Sequence, residues 1–96
     1  MSNIFEILDR KGRKVILSQE DWKHIVKHKG IEQHIEDIKT AILNPTIARP
    51  HMHDSNKENF YLYFKETKRY LLVSVKYLNN EGEVKTSFIT RKIMRK

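Results

Sequence analysis

The 96-residue chain is long enough for one domain with a small core, since hydrophobic residues make up 39% of it. It has no cysteine, which excludes disulfide bonds and thiolate zinc sites, and no apolar run of the roughly 18 residues that a membrane span needs. The net charge is +7, and residues 49–96 supply +6 of it (eleven Lys/Arg against five Asp/Glu). This basic half favours a polyanionic partner, either nucleic acid or an acidic inhibitor protein.

The first predicted elements are a β-hairpin and a helix. In residues 3–17, two short apolar runs flank a polar stretch that has Gly12 in its turn. Ser18 is typical of a helix N-cap, with Asp21 three residues later. We expect this helix to end at Gly30 in the left-handed conformation.

A second helix is predicted directly after Gly30. Isoleucines recur at positions 31, 35, 38 and 42, which gives an amphipathic stripe, and the helix stops at Asn44-Pro45. Residues 46–49 are interpreted as a short edge strand limited by Pro50.

The remaining chain alternates as strands do. Residues 60–65, 71–77 and 84–90 are joined by short turns, so they predict an antiparallel meander. The fold class is therefore α+β, with an N-terminal hairpin and two helices packed on an antiparallel sheet of about four strands, in a single domain over 1–96. The first residues lack the pattern of a signal peptide, and we expect a cytoplasmic protein.

Two histidines, His24 and His28, lie outside the apolar stripe of the first helix. Three interpretations are open at this point. They could share a metal ion, with His51 and His53 adding ligands, although the neighbouring lysines repel a cation. They could act as an acid and a base, or they could be part of an ordinary solvated helix face.

Acid–base chemistry on RNA would need no metal. One group takes the proton of the 2′-hydroxyl, which attacks the phosphodiester, and another protonates the leaving 5′-oxygen. Cations and hydroxyls stabilise the charge of the transition state. The chain holds residues of these types at His24, His28, Lys65, Arg69, Thr86, Ser87, Thr90 and Arg91.

The order of motifs resembles a known family. The hairpin is followed by a helix with "WKHI", an aliphatic helix ending at a proline, the aromatic strand "ENFYLYF", a strand with "VSV" and a last strand with "KTSF". Together they resemble the phage- and plasmid-associated nuclease-like domains of the barnase–EndoU–colicin–RelE superfamily. This resemblance covers almost the whole chain, but Lys29-Gly30 replaces the usual Pro-Glu, and Ser87-Phe88 lacks the usual tyrosine.

The resemblance implies a metal-independent ribonuclease without a cofactor, a toxin-like enzyme that acts on tRNA or mRNA. It points to His24 as the leading catalytic residue, with His28 as its partner and Thr86 as a site residue. From the residue types, we expect cations to bind phosphate, hydroxyl groups to contact the substrate and tyrosines to stack on its bases. The cations are Lys65, Arg69 and Arg91, the hydroxyl residues are Ser87 and Thr90, and the tyrosines are Tyr61 and Tyr63.

The same residues can also be explained without a function. The cations could belong to a charged turn, Thr86 could be favoured by its strand propensity, and the tyrosines could pack in the core. The alternative function is a non-catalytic module of a mobile element that binds nucleic acid or a protein. The expected partners are RNA and an acidic antitoxin or inhibitor. We assign no role to His34, His51 or His53, and expect them to be exposed.

Overall fold

The computed structural model describes residues 3–93. Within these residues, the chain forms six strands, two α-helices and a 3₁₀ segment. In chain order they are β1 (Phe5–Leu8), β2 (Lys14–Leu17), α1 (Gln19–Ile25), the 3₁₀ segment (Ile31–His34), α2 (Ile35–Leu43), β3 (Ile47–Pro50), β4 (Lys57–Phe64), β5 (Arg69–Leu78) and β6 (Glu81–Thr90). Residues 91–96, RKIMRK, form a basic tail in the sequence, and the last three of them lie outside the described residues.

All the strands join one sheet in the order β1-β2-β6-β5-β4-β3. The predicted hairpin and the antiparallel meander are confirmed. The predicted count of about four antiparallel strands is wrong, because β2 pairs with β6 in parallel and brings the hairpin into the sheet. The two strands of the hairpin have only four residues each, and strands this short carry no local signal of a distant partner.

The first helix is shorter than predicted. Ser18 caps it by accepting a hydrogen bond from the Asp21 N–H, as expected, but α1 ends at Ile25. The Lys27 and His28 N–H groups then bond three residues back, so the chain tightens before Gly30, which is left-handed with φ of 84°. The second helix begins as the 3₁₀ segment, and its isoleucine stripe faces the core as predicted, with Ile31, Ile38 and Ile42 buried and Ile35 half-buried.

Alternation along the central strand β5 defines the two faces of the sheet. Leu71, Val73, Val75 and Tyr77 belong to the core, where α1 packs against β6, and α2 against β4 and β5. The side chains between them point to the other side. We call this side the second face; the cross-strand pairs place on it Asn59, Tyr61, Tyr63, Tyr70, Leu72, Ser74, Lys76, Thr86, Phe88 and Thr90.

The β5–β6 connection is a tight turn, as predicted. Asn79 and Asn80 both have positive φ, 54° and 65°, which suits the twist of a two-residue hairpin. Gly82 lies inside β6 rather than in the turn, and a Cβ there would meet the Tyr77 ring and the Val75 side chain at 2.8 Å. Gly82 therefore makes room for Tyr77 in the core.

In the described part of the chain, no helix has the length and the apolar character to cross a membrane.

Candidate functional site

Of the two predicted catalytic histidines, His24 lies on α1, and His28 lies in the turn after the helix, where it contacts β6. At about 100° per residue, His24 lies roughly 60° around the helix from Asp21. The Asp21 carboxylate is 3.5 Å from the Lys85 ammonium, and the His28 ring centroid is 5.5 Å from that of Phe88. Both histidines are exposed. The contacts of Asp21 and His28 thus hold α1 and the turn after it beside the last strand.

Thr86 lies on the same strand, between the two contact points. It is opposite Ser74 and is partly exposed. It shares a strand face with Phe88, two residues away, which corresponds to about 7 Å along the strand. We call the group of His24, His28, Lys85, Thr86 and Phe88 the histidine edge.

A β-bulge explains how Lys85 reaches α1. Ser74 pairs with Thr86 and Val75 with Val84, so Lys85 is an extra residue in β6 with no partner opposite. Its ammonium is 2.7 Å from Glu83 and 3.5 Å from Asp21. The hydrogen bond with Glu83, followed by the charge of Asp21, raises the pKa of Lys85 in spite of its partial burial, so it stays positive.

The surroundings of the histidine edge are positively charged. Lys23, Lys27 and Lys29 are exposed on α1 and the turn after it, and residues 22–31 contain no acidic residue. On the second face, Lys85 also lines a cleft of about 570 Å³ together with Lys14 and Lys76, which outnumber the two carboxylates there. A phosphate chain beside the histidines would therefore meet several cations.

Three more of the residues predicted to contact the substrate lie on the second face or at the end of β6. Tyr63 is opposite Tyr70, and their ring centroids are 5.0 Å apart. Thr90 pairs with Tyr70 from the other side, and its hydroxyl contacts the backbone of Lys92. Arg91 follows and is exposed. Tyr63, Thr90 and Arg91 thus lie together, about four residues beyond Thr86 along β6.

The β4–β5 turn holds the other two predicted cations. Lys65 is exposed in the turn, and Arg69 opens β5 opposite Phe64. Arg69 is on the core side by alternation, so these two residues are not part of the histidine edge.

Two of the residues predicted to contact the substrate are buried in the structure and cannot reach it. Ser87 is fully buried, and its hydroxyl donates to the Leu72 carbonyl at 2.8 Å. Tyr61 is also fully buried, so its ring cannot stack on an unpaired base. The alternation of side chains along a strand correctly predicts which face of the sheet each residue lies on. It does not predict which positions on each face are covered by the rest of the chain. We therefore leave both residues out of the proposed site.

The remaining histidines are placed as follows. His34 is half-buried rather than exposed, with its ring against Phe64 and its Nδ1 2.8 Å from Asp37. His51 is partly exposed and His53 is exposed; the His51 ring accepts a hydrogen bond from the His53 N–H. Among residues 3–93, no three His, Asp or Glu side chains come together in a way that could hold a metal ion.

Sequence reasoning missed a buried polar network at Asp9. Its carboxylate accepts hydrogen bonds from the N–H groups of Lys11 and Arg13, from Arg13 Nε and from the Tyr77 hydroxyl, all at 2.8–2.9 Å. Arg13 also binds Glu58 at 2.9 Å, and its guanidinium lies 3.7 Å from the centre of the Tyr77 ring. An Asp before a turn is a local signal, but nothing local indicates Tyr77 as its partner.

The network shifts the pKa values of its members. Burial raises the pKa of Asp9, but the hydrogen bonds from Arg13, Tyr77 and Lys11 and the charge of Arg13 outweigh burial, so the pKa lies below its usual value. Burial and the Asp9 carboxylate raise the pKa of Tyr77, which therefore remains a hydrogen-bond donor.

Comparisons with protein-family models, with curated proteins and with solved structures found no match.

Proposed function

We propose that the protein is a metal-independent endoribonuclease of the barnase–EndoU–colicin–RelE superfamily, with its active site at the histidine edge. The observation that carries the proposal is the contact of His28 with Phe88, reinforced by the ion pair of Asp21 with Lys85. These contacts bring one imidazole, a strand hydroxyl and a cation to one edge, and His24 lies four residues before His28 in the sequence. The cationic surroundings supply the affinity for RNA.

In the proposed reaction, His24 and His28 act as the acid–base pair. One imidazole takes the proton of the 2′-hydroxyl, whose oxygen attacks the adjacent phosphorus, and the other gives a proton to the departing 5′-oxygen. The products are a 2′,3′-cyclic phosphate and a free 5′-hydroxyl. Lys85 and the Thr86 hydroxyl stabilise the additional negative charge on the phosphate oxygens.

The test is cleavage of end-labelled tRNA and mRNA in the presence of EDTA. We expect products with cyclic phosphate ends, and a loss of rate of about 10²- to 10⁴-fold in His24→Ala and in His28→Ala. His53→Ala is the matched control, because His53 is exposed in the β3–β4 loop away from α1, and it should cleave at the unchanged rate. Intact RNA at micromolar protein, or equal rates in His24→Ala and His53→Ala, would contradict the proposal.

A second candidate, favoured by the eleven cations of residues 49–96, is RNA binding without cleavage. The affinity would then fall steeply with salt while the RNA stays intact.

In either case we propose a cytoplasmic, toxin-like protein that an acidic antitoxin or inhibitor restrains. Recovery of one acidic protein by the purified domain, with no affinity for RNA, would favour a protein-interaction module instead.

A further inference from the structure

A cleft of about 390 Å³ opens between the β1–β2 turn and the strands β3 and β4. Arg10 and Lys11 line it from the turn, Arg49 from β3 and Lys57 from the start of β4. We call these four residues the rim cations. The cleft has the volume of a small-molecule site, larger than a bare phosphate ion requires.

The charge of this cleft is not balanced. Of the described residues that line it, only Asp9 and Glu58 carry carboxylates, and both bind Arg13 at 2.9 Å. Within residues 3–93, none of the four rim cations forms an ion pair. Five cations and two carboxylates leave a formal charge of +3 around one concave space. Such a concentration of one sign attracts an anion, and the concave shape strengthens the field.

Arg13 is held rigidly beside the rim cations. Its guanidinium is bound by Asp9 at one nitrogen, by Glu58 at another, and by the Tyr77 ring on its face. A side chain fixed in this way loses little conformational freedom when an anion arrives. The β1–β2 turn and the strands β3 and β4 are also held together by the Arg13–Glu58 pair, so the cleft exists before any ligand binds.

We propose that this cleft is a second binding site, separate from the histidine edge, and that it takes a phosphate group carried by a nucleotide, another phosphate ester or a nucleic-acid backbone. The two sites are far apart along the sheet. His28 contacts Phe88, whose partner on β5 is Leu72, whereas Asp9 binds Tyr77. Five residues of β5 separate these points, which corresponds to about 17 Å. The cleft therefore extends the proposed function without depending on the histidines.

The test measures the affinity for three probes: inorganic phosphate, a 5′-nucleoside monophosphate, and a short single-stranded RNA with 2′-O-methyl groups that block cleavage. We expect Arg49→Gln and Lys11→Gln each to weaken binding about tenfold, the effect of one charge-assisted hydrogen bond. Lys68→Asn is the matched control. It removes the same charge from the β4–β5 turn, and asparagine tolerates the positive φ of 57° there. It should change the affinity less than twofold.

Two results would support the site and identify the source of the phosphate, provided that Arg49→Gln and Lys11→Gln weaken the binding observed. Equal binding of the monophosphate and the RNA indicates a free phosphate ester, and binding of the RNA alone indicates a nucleic-acid backbone. The proposal is overturned if none of the three probes binds at millimolar concentration. It is also overturned if Lys68→Asn weakens binding as much as Arg49→Gln does, because the attraction would then come from the net charge alone. The cleavage assay with His24→Ala tests the ribonuclease independently of these outcomes.

Discussion

At Asp9, one buried carboxylate joins two parts of the chain that are 68 residues apart. The hydroxyl of Tyr77 donates to it at 2.8 Å, and the turn that Asp9 begins is closed by its own hydrogen bonds to Lys11 and Arg13. A buried charge is tolerated only when its hydrogen-bonding capacity is satisfied, and here four donors surround it. Asp9 thus attaches the hairpin turn to the core of the sheet.

Tyr77→Phe should lower the free energy of unfolding by about 1.5–3 kcal/mol, the contribution of a hydrogen bond to a charged group. The ring stays, so its packing on Gly82 and its contact with Arg13 are kept. Urea denaturation measures the change. Tyr63→Phe removes an exposed hydroxyl and is the control; an equal loss in both variants would contradict the role given to Asp9.

The depressed pKa of Asp9 predicts a specific loss of stability in acid. The carboxylate stabilises the fold above the unfolded pKa of about 3.9, and this contribution disappears as the pH falls through the lower folded value. Asp9→Asn should therefore be less stable than the wild type at pH 7 and should lose less stability between pH 4 and pH 2. Parallel stability curves for the two proteins over this range would contradict the prediction.

Among the elements, α1 depends most on its ends, because it has only seven residues. An isolated helix of this length is unstable, so its cap and its packing hold it in place. The Ser18 hydroxyl accepts from the Asp21 N–H at 3.0 Å and contacts the Asp21 carboxylate at 3.1 Å. Asp21 in turn approaches Lys85, so the cap is linked to the strand that carries Thr86.

Ser18→Ala should reduce stability by about 1 kcal/mol, the usual effect of removing an N-cap. If the histidine edge is the active site, the variant should also cleave RNA more slowly at a temperature where it is fully folded, because Asp21 is no longer positioned. Ser55→Ala, an exposed position in the β3–β4 loop, is the control for both measurements. An unchanged thermal midpoint in Ser18→Ala would contradict the role of the cap.

For the whole molecule, local sequence patterns predicted the helices and strands but not all of the pairings and contacts between them. The alternation in β4, β5 and β6 and the turn at Asn79-Asn80 depend on residues close in sequence, so the meander could be predicted. The parallel pairing of β2 with β6 and the contact of Asp9 with Tyr77 join distant residues, and no local signal encodes them. In the same way, helical spacing predicted one flank for His24 and His28, but α1 ends at Ile25, before His28, and the burial of Ser87 depends on the whole fold.

The sheet predicts that the hairpin and the meander unfold together. Phe5, Val15 and Leu17 share one core with β5 and β6, so the hairpin cannot detach without exposing apolar surface. Native-state hydrogen exchange should give the ladder amides of β2 and β5 similar opening free energies, with lower values for residues 26–30. Much lower protection in β2 than in β5 would show that the hairpin is an independent, weaker unit.

The pairing of β2 with β6 also sets an order of events during synthesis. The hairpin leaves the ribosome before the helices and the meander, so β2 cannot pair with β6 until that strand has been translated. Until then the apolar side of the β1–β2 hairpin is not packed in the complete core. Exposed apolar surface of this kind in a nascent chain is bound by chaperones. Lys85 and Thr86 lie on β6 itself, so the proposed active site would stay incomplete, and the RNA around the ribosome uncut, until that strand has been translated.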